Sequence, residues 1–228
     1  MDQDKAIEET ATLEPPGSIA VVGGGPVGIE AALYGRYLGY AVRLFEAKAV
    51  ANRLSVRREE TIPMMPDRCL SPLARSALLA QSGETARGPS PLLIGEWIDQ
   101  VWLPLTQTDL LRGRVVCPAS VVAIDQVPVP IDDQESEDED EEPAPPDFQL
   151  TLADGEKETF EAVILACGDG DPKVQLSFGV PVDYFFRISS ADGGEAERDF
   201  WQGLAEIVRV YASLGGRADL DLYRPLRG

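Results

Sequence analysis

Four apolar residues in a row, Ile19 to Val22, are bounded by turn-forming residues on both sides, which is the pattern of a strand covered on both faces. A glycine-rich stretch follows, and then Ile29, Leu33 and Tyr37 recur at helical spacing. They predict a helix that starts near Pro26, buries those three side chains and leaves at Gly39. Proline is tolerated in a first turn because the N–H groups there have no partner inside the helix. Val42 and Leu44 then alternate with Arg43 and Phe45 in a second strand that ends on an acid, Glu46. Ser71 and Pro72 read as the cap and first position of a short helix. The residues from Gly83 to Pro91 read as a loop. Trp97, Val101 and Leu105 predict a further helix toward Leu111, kinked or divided by Pro104.

From Arg114 the period changes to two. Val115–Val116, Val121–Ile124 and Phe148-Gln-Leu150-Thr-Leu152 read as strands, with a turn over Ala153–Glu156. An apolar strand then runs from Phe160 through Leu165 to Ala166, Cys167 and Gly168, and Tyr184–Phe186 read as one more core strand. Phe200, Leu204, Ile207, Val208, Tyr211 and Leu214 make one apolar stripe, which Gly215 and Gly216 stop; it is expected to pack on the sheet. The fold expected is α/β: a Rossmann-like parallel sheet, a small antiparallel β-meander excursion and a C-terminal helix. Residues 1–16 are expected to be a flexible lead-in and 17–190 the main domain, with a disordered acidic loop at 130–147. Residues 191–228 supply the C-terminal helix and tail.

The chemistry concentrates in residues 18–46. Gly23-x-Gly25-x-x-Gly28 sits between the first strand and the helix. Gly23 permits a sharp turn, Gly25 lets backbone approach a pyrophosphate, and Gly28 lets helix and strand pack closely, helped by small Ala32. Free N–H groups and the helix dipole at that terminus favour a diphosphate. Glu46 follows Gly23 by 23 residues, near the roughly 20-residue interval at which a carboxylate reaches a ribose hydroxyl.

In these residues the chain resembles the FAD-binding flavoproteins with paired dinucleotide-binding folds, the pyridine-nucleotide-disulfide reductases and flavin-containing monooxygenases. Val21–Gly28 through Glu46 looks like their first motif, and Val163-Ile-Leu-Ala166-Cys167-Gly168 like their later Ala-Thr-Gly motif, with Cys167 in place of threonine. The likeness covers residues 18 to 172. It implies an FAD-binding oxidoreductase with cofactor contacts at Gly23, Gly25, Pro26, Val27 and Gly28, at Glu46 and Ala47, at Val121, and at Ala166, Cys167 and Gly168. The position of the fingerprint favours FAD. The letters Gly-x-Gly-x-x-Gly-x-Glu30 also look like the group's nicotinamide site, so NAD stays open, and the Glu46 carboxylate disfavours the 2′-phosphate of NADP. No second glycine fingerprint and no CxxC is found, so a protein partner that supplies a catalytic half is one expectation.

Composition narrows the picture further. The 228 residues carry a formal charge of −19, and nine of the eleven residues from Asp132 to Glu142 are acidic. This argues against nucleic acid or an anionic membrane as partner. The sequence has no histidine, which excludes Ser-His-Asp and Cys-His catalysis and histidine metal sites; no metal is expected. Three separated cysteines and a polar, acidic start predict a cytoplasmic location. Cys167 reads as a small packed residue rather than a reactive thiol, and Cys69 and Cys117 also as packing residues. Arg53, Arg57 and Arg58 read as surface charges, and Trp97, Trp102 and Trp201 as core. Three functions remain: a flavin oxidoreductase, an NAD-binding domain, and a non-catalytic accessory protein on a flavoprotein fold.

Overall fold

A computed structural model describes residues 12–65, 68–82, 90–129, 145–167, 174–188 and 196–224. The expected loop from Gly83 as far as residue 89, the acidic stretch as far as residue 144, and Gly168 lie outside the described residues.

The elements are β1 (Ser18–Val22), α1 (Pro26–Leu38), β2 (Ala41–Phe45), α2 (Asn52–Ser55), α3 (Pro72–Ser82), α4 (Ile94–Trp97), a π-helical turn (Ile98–Trp102), α5 (Leu103–Thr106), β3 (Val115–Val116), β4 (Val121–Val127), β5 (Asp147–Leu152), β6 (Lys157–Phe160), β7 (Ala162–Leu165), β8 (Gln175–Leu176), β9 (Phe185–Arg187) and α6 (Ala196–Leu214). One sheet has the order β3-β2-β1-β7-β9, and every pairing in it is parallel. The other, β6-β5-β4-β8, pairs β4, β5 and β6 antiparallel and lies between β3 and β7 in the chain apart from β8. The α/β class, the parallel sheet, the meander and the C-terminal helix are all present.

The central strand β1 carries the core: Ile19, Ala20 and Val21 have no exposed surface, as a strand covered on both faces requires. Several details differ from the sequence expectation. In α1, Ile29, Leu33 and Ala32 are buried as expected, but Tyr37 is 40% exposed and Tyr34 takes the interior place. The reason is α6. It lies principally on α1, not on the sheet, and turns the Tyr34 face inward. The Tyr211 hydroxyl donates to the Ala31 carbonyl at 2.9 Å, and its ring stacks on Tyr34 with centroids 5.1 Å apart.

The apolar run from Phe160 to Leu165 is two strands in two sheets, not one. The chain crosses between them at Glu161, whose carboxylate accepts the Ser18 N–H at 2.6 Å and the Ser18 hydroxyl at 3.0 Å. Within the stretch expected as a lead-in, Leu13 is held in place. Leu13 is buried, donates its N–H to the Leu214 carbonyl at 2.8 Å and accepts the Tyr40 hydroxyl at 2.8 Å. Leu214 ends α6, so its carbonyl has no helical partner and Leu13 supplies one. Asp147, expected as the last residue of the acidic loop, is instead paired with Val127 at the start of β5.

The helical run from Ile94 to Thr106 is unbroken at Pro104 but changes its hydrogen bonding just ahead of it. The helix continues through the π turn, where the Leu103 N–H reaches back to the Ile98 carbonyl, five residues away. Widening the turn ahead of proline adapts the helix to its missing N–H and bulky ring. Trp97 and Trp102 are buried there edge to face, 5.2 Å apart, and both meet Phe200 of α6. The Trp201 indole is partly exposed and donates to the Arg68 carbonyl at 3.2 Å. Of the expected core strand Tyr184–Phe186, Phe185 and Phe186 fall in β9, with Phe185 buried and Phe186 partly so; Tyr184 is buried just ahead of it, in the left-handed region at φ 61°.

Candidate functional site

The glycine turn sits at the C-terminal end of the central strand. Gly23 has φ +117°, and a Cβ there would lie 2.7 Å from the Ala166 carbonyl oxygen. A Cβ on Gly24 would lie 2.7 Å from the Glu46 Cβ. A Cβ on Gly28 would fall deep inside the Gly23 carbonyl oxygen. These three glycines are therefore required by the protein's own packing. Gly25 is different: a Cβ there meets nothing within 4 Å among the described residues, and its φ of −76° suits any residue.

Gly25 is also the N-cap of α1, and no side chain caps that terminus. Ile29 N–H bonds back to the Gly25 carbonyl at 3.0 Å, so the first helical bond is closed. The N–H groups of Val27 and Gly28 precede that bond, and Pro26 has none to offer. What faces the open space over Gly25 is thus a 13-residue helix terminus with its positive end unscreened by any cap.

Glu46 closes one side of this mouth. Its Oε2 accepts the Gly24 N–H at 2.7 Å, and its Oε1 accepts the Lys48 N–H at 2.9 Å. Each carboxylate oxygen keeps a second lone pair, so two acceptors stay free for hydroxyl donors. The turn after Glu46 is fastened as well. The Ala51 N–H donates to the Gly24 carbonyl at 2.8 Å, with Ala51 buried and in the left-handed region at φ 53°. The Ala119 N–H donates to the Glu46 carbonyl at 2.7 Å.

Most expected positions come together. Ala166 touches the turn: its N–H donates to the Val22 carbonyl at 2.8 Å, and its Cβ would be 3.3 Å from a Cβ on Gly28. Cys167 follows, half-buried, with its thiol 3.4 Å from the same Val22 carbonyl. Pro26 is half-exposed at the first helical position, the Val27 side chain is buried, and Ala47 is exposed beside Glu46. Val121 starts β4 and is buried opposite Leu152, two residues beyond the Ala119 contact.

Glu30, the acid that kept NAD open, is not at this mouth. It has no exposed surface and accepts the Ser71 hydroxyl at 2.8 Å on the far side of α1. Burial pushes its carboxyl up to about 7, against the opposing effect of hydrogen bonds from Ser71 and Tyr223. Ser71 caps α3 as expected, accepting the Ala74 N–H at 2.9 Å.

Cys117 is exposed, a correction to its reading as a packing residue; it lies at the end of β3, and its thiol reaches the Lys48 carbonyl at 3.5 Å. Partial burial, and then the nearby Glu46 charge, push its thiol up, which disfavours a reactive thiolate. Arg57 pairs with Glu60 and Arg58 with Asp99, both exposed pairs, as surface arginines should. The N–H groups of Gly24, Lys48 and Ala119 and the conformation of Ala51 were not anticipated. Gly24 had a signal, as the middle member of three consecutive glycines. The others are backbone groups at ordinary residues and had none.

No protein-family model matches the sequence, and no curated protein does. Among solved structures, bacillithiol disulfide reductase from Staphylococcus aureus matches over 70% of this chain and 39% of its own, at 14% identity and a TM-score of 0.45. Cyclohexanone monooxygenase from Rhodococcus sp. Phi1, bound to NADP+, matches over 72% and 28%, at 16% identity and a TM-score of 0.47. FAD-bound OTEMO matches over 70% and 27%, at 17% identity and a TM-score of 0.47. The chain thus spans under two-fifths of the length of these proteins. Among the described residues no helix is long and apolar enough to cross a membrane. By its own strand order and its β1–α1 glycine turn, the chain has a Rossmann-like α/β fold.

Proposed function

We propose that this chain binds FAD through its ADP portion and acts as a flavin-dependent oxidoreductase. The observation that supports this best is the space over Gly25. It is the one glycine of the turn that the fold does not itself need, and it opens onto an uncapped helix terminus beside a fixed carboxylate. A diphosphate would sit against the Val27 and Gly28 N–H groups, and Glu46 would take the ribose hydroxyls on its two remaining lone pairs. Pro26, Ala47, Val121, Ala166 and Cys167 line the proposed path, and Gly168 belongs to it by sequence. The solved structures above include an FAD-bound protein and an NADP+-bound one.

The flavin, when bound, supplies the redox chemistry. The chain's own task is to fix the dinucleotide and hold it rigid. Two backbone donors already orient the Glu46 carboxylate, so little side-chain freedom is lost on binding. In this reading a partner chain supplies the substrate-handling half, and the setting is cytoplasmic.

The test is the visible absorbance of the purified protein, followed by thermal shift with FAD, NAD and NADP. FAD at 100 times its dissociation constant should add about 2.7 kcal/mol, or roughly 5–11 °C for a chain of this size. NADP should give the smallest shift, because Glu46 would face a 2′-phosphate. A protein without flavin colour and without an FAD shift refutes the reading; a shift with NAD alone transfers the site to NAD.

Glu46→Ala should weaken FAD binding about tenfold to a hundredfold by removing ribose hydrogen bonds and leaving the phosphate cradle. It should also cost about 1–2 kcal/mol of stability without ligand, since the Gly24 and Lys48 N–H groups lose their acceptor. Titration calorimetry and chemical denaturation read the two effects separately. Unchanged affinity would remove Glu46 from the ribose site.

A further inference from the structure

Residues 220–223, which follow α6, cross the face of α1 turned away from the glycine turn, and two side chains of α1 grip them. The Tyr34 hydroxyl donates to the Leu220 carbonyl and accepts the Leu222 N–H, each at 3.2 Å. One turn earlier on the same helix face, Glu30 Oε2 accepts the Tyr223 hydroxyl at 3.4 Å as well as that of Ser71. Tyr223 is 8% exposed, and its ring packs 5.2 Å from Tyr34. The segment's own structure is slight: turn bonds from Leu220 N–H to Arg217 and from Arg224 N–H to Asp221, and an Asp221–Arg224 ion pair. It is anchored to α1 by these few side-chain bonds and by the packing of Tyr223 and Leu222.

Glu30 Oε1 is buried and has no hydrogen-bond partner among the described residues. An ionised carboxylate in that position has a bare oxygen facing a dry interior, which disfavours the charged form strongly. Of the three segments that meet at Glu30, α1 and α3 are helices packed in the core. The terminal segment has no helix or sheet of its own to hold it down, so it is the one that lifts away most readily. We propose that residues 220–223 are a strap latched over α1 by the protonated Glu30 side chain, and that the strap undocks when that carboxyl ionises and draws water. Among the described residues, the titratable group that meets Glu30 is Tyr223 on the strap, with Tyr34 on α1 and Tyr211 on α6 beside Tyr223 and Asp221 near Tyr34; the uncharged Ser71, which caps α3, meets Glu30 from the other side. Burial pushes all three phenols upward, so they keep their protons where Glu30 loses its own. The latch stands whether or not a nucleotide binds at the glycine turn.

The probe is the Leu222 amide, whose partner is a side chain of α1. Its hydrogen-exchange protection in the full chain, corrected for the intrinsic exchange rate at each pH, should fall about tenfold from pH 6 to pH 8.5. This follows for a group titrating near 7 when docked and near 4.5 when hydrated. In Glu30→Gln the protection should be the same at both pH values. Equal protection in the wild type at both pH values, or an equal fall in E30Q, overturns the latch. A second measurement does not depend on the variant folding: the carbon-13 carboxyl shift of Glu30 in the wild type must change over the same pH range as the Leu222 protection. A carboxyl midpoint near 4.5, the value of a hydrated group, also overturns it.

Discussion

Gly28→Ala strongly destabilises the fold, whereas Gly25→Val leaves the protein folded and unable to hold a dinucleotide. The first result follows from contact within the chain. A methyl group on Gly28 overlaps the Gly23 carbonyl oxygen, with the Ala166 Cβ close behind, so α1 must move off β1. Overpacking at a rigid backbone–backbone contact costs about 3 kcal/mol or more. The second result follows from the lack of any such contact. Valine at position 25 has an allowed φ and open space, and it forfeits only glycine's slight advantage as an N-cap, about 1 kcal/mol or less. Its isopropyl group then occupies the volume a diphosphate needs against the helix terminus. Denaturation midpoints and FAD titrations of the two variants make the comparison. A Gly25→Val protein that binds FAD as the wild type does would move the phosphate site elsewhere; a stable Gly28→Ala protein would show that the turn yields more than its geometry implies.

That contrast also marks how far the sequence could be read. The βαβ start was legible because three separate signals coincide there: a continuous apolar strand, glycines at fixed intervals and an acid at the end of the next strand. Their spacing fixes the geometry with little help from the rest of the chain. The Ser71 cap and a disturbance of the helix at Pro104 were legible for the same local reason. What failed depends on contacts distant in sequence. Tyr37 and Tyr34 both fit a helical period, and only α6, far along the chain, decides which one is buried. The run from Phe160 to Leu165 reads as one strand because both of its halves are apolar, and the break at Glu161 is visible only once Ser18 supplies its partners. Leu13 resembles any residue of a polar leader until the end of α6 needs a donor. In the site, the two N–H groups that orient Glu46 belong to Gly24 and Lys48, and a backbone donor carries no side-chain signature.

Glu30 illustrates the same division and yields the other large effect. Its place in Gly-x-Gly-x-x-Gly-x-Glu suggested a ligand contact, yet it is an interior carboxyl whose pKa burial raises from 4.5 to about 7. Below pH 4.5 the folded and unfolded chains both hold this proton. From 4.5 to about 7 only the folded chain does, so each step upward in pH favours unfolding. Above 7 both have lost it, and the penalty is constant. The wild type should thus lose up to about 3 kcal/mol of stability from this group as pH rises through that interval. For a chain of this size that is roughly 6–12 °C in melting temperature. Undocking of the strap would reduce the loss, because a hydrated carboxylate no longer opposes folding. Glu30→Gln adds a buried amide whose cost does not vary with pH, so the difference in slope between the two proteins is the quantity to measure. Chemical denaturation at pH 5 and pH 8.5 should show the variant gaining about 2 kcal/mol on the wild type between the two conditions. The acidic surface makes both proteins drift with pH together, and the subtraction removes that drift. Curves that fall in parallel would mean that Glu30 titrates in the folded chain as an ordinary solvated carboxyl, and that water already reaches Oε1 beneath the strap.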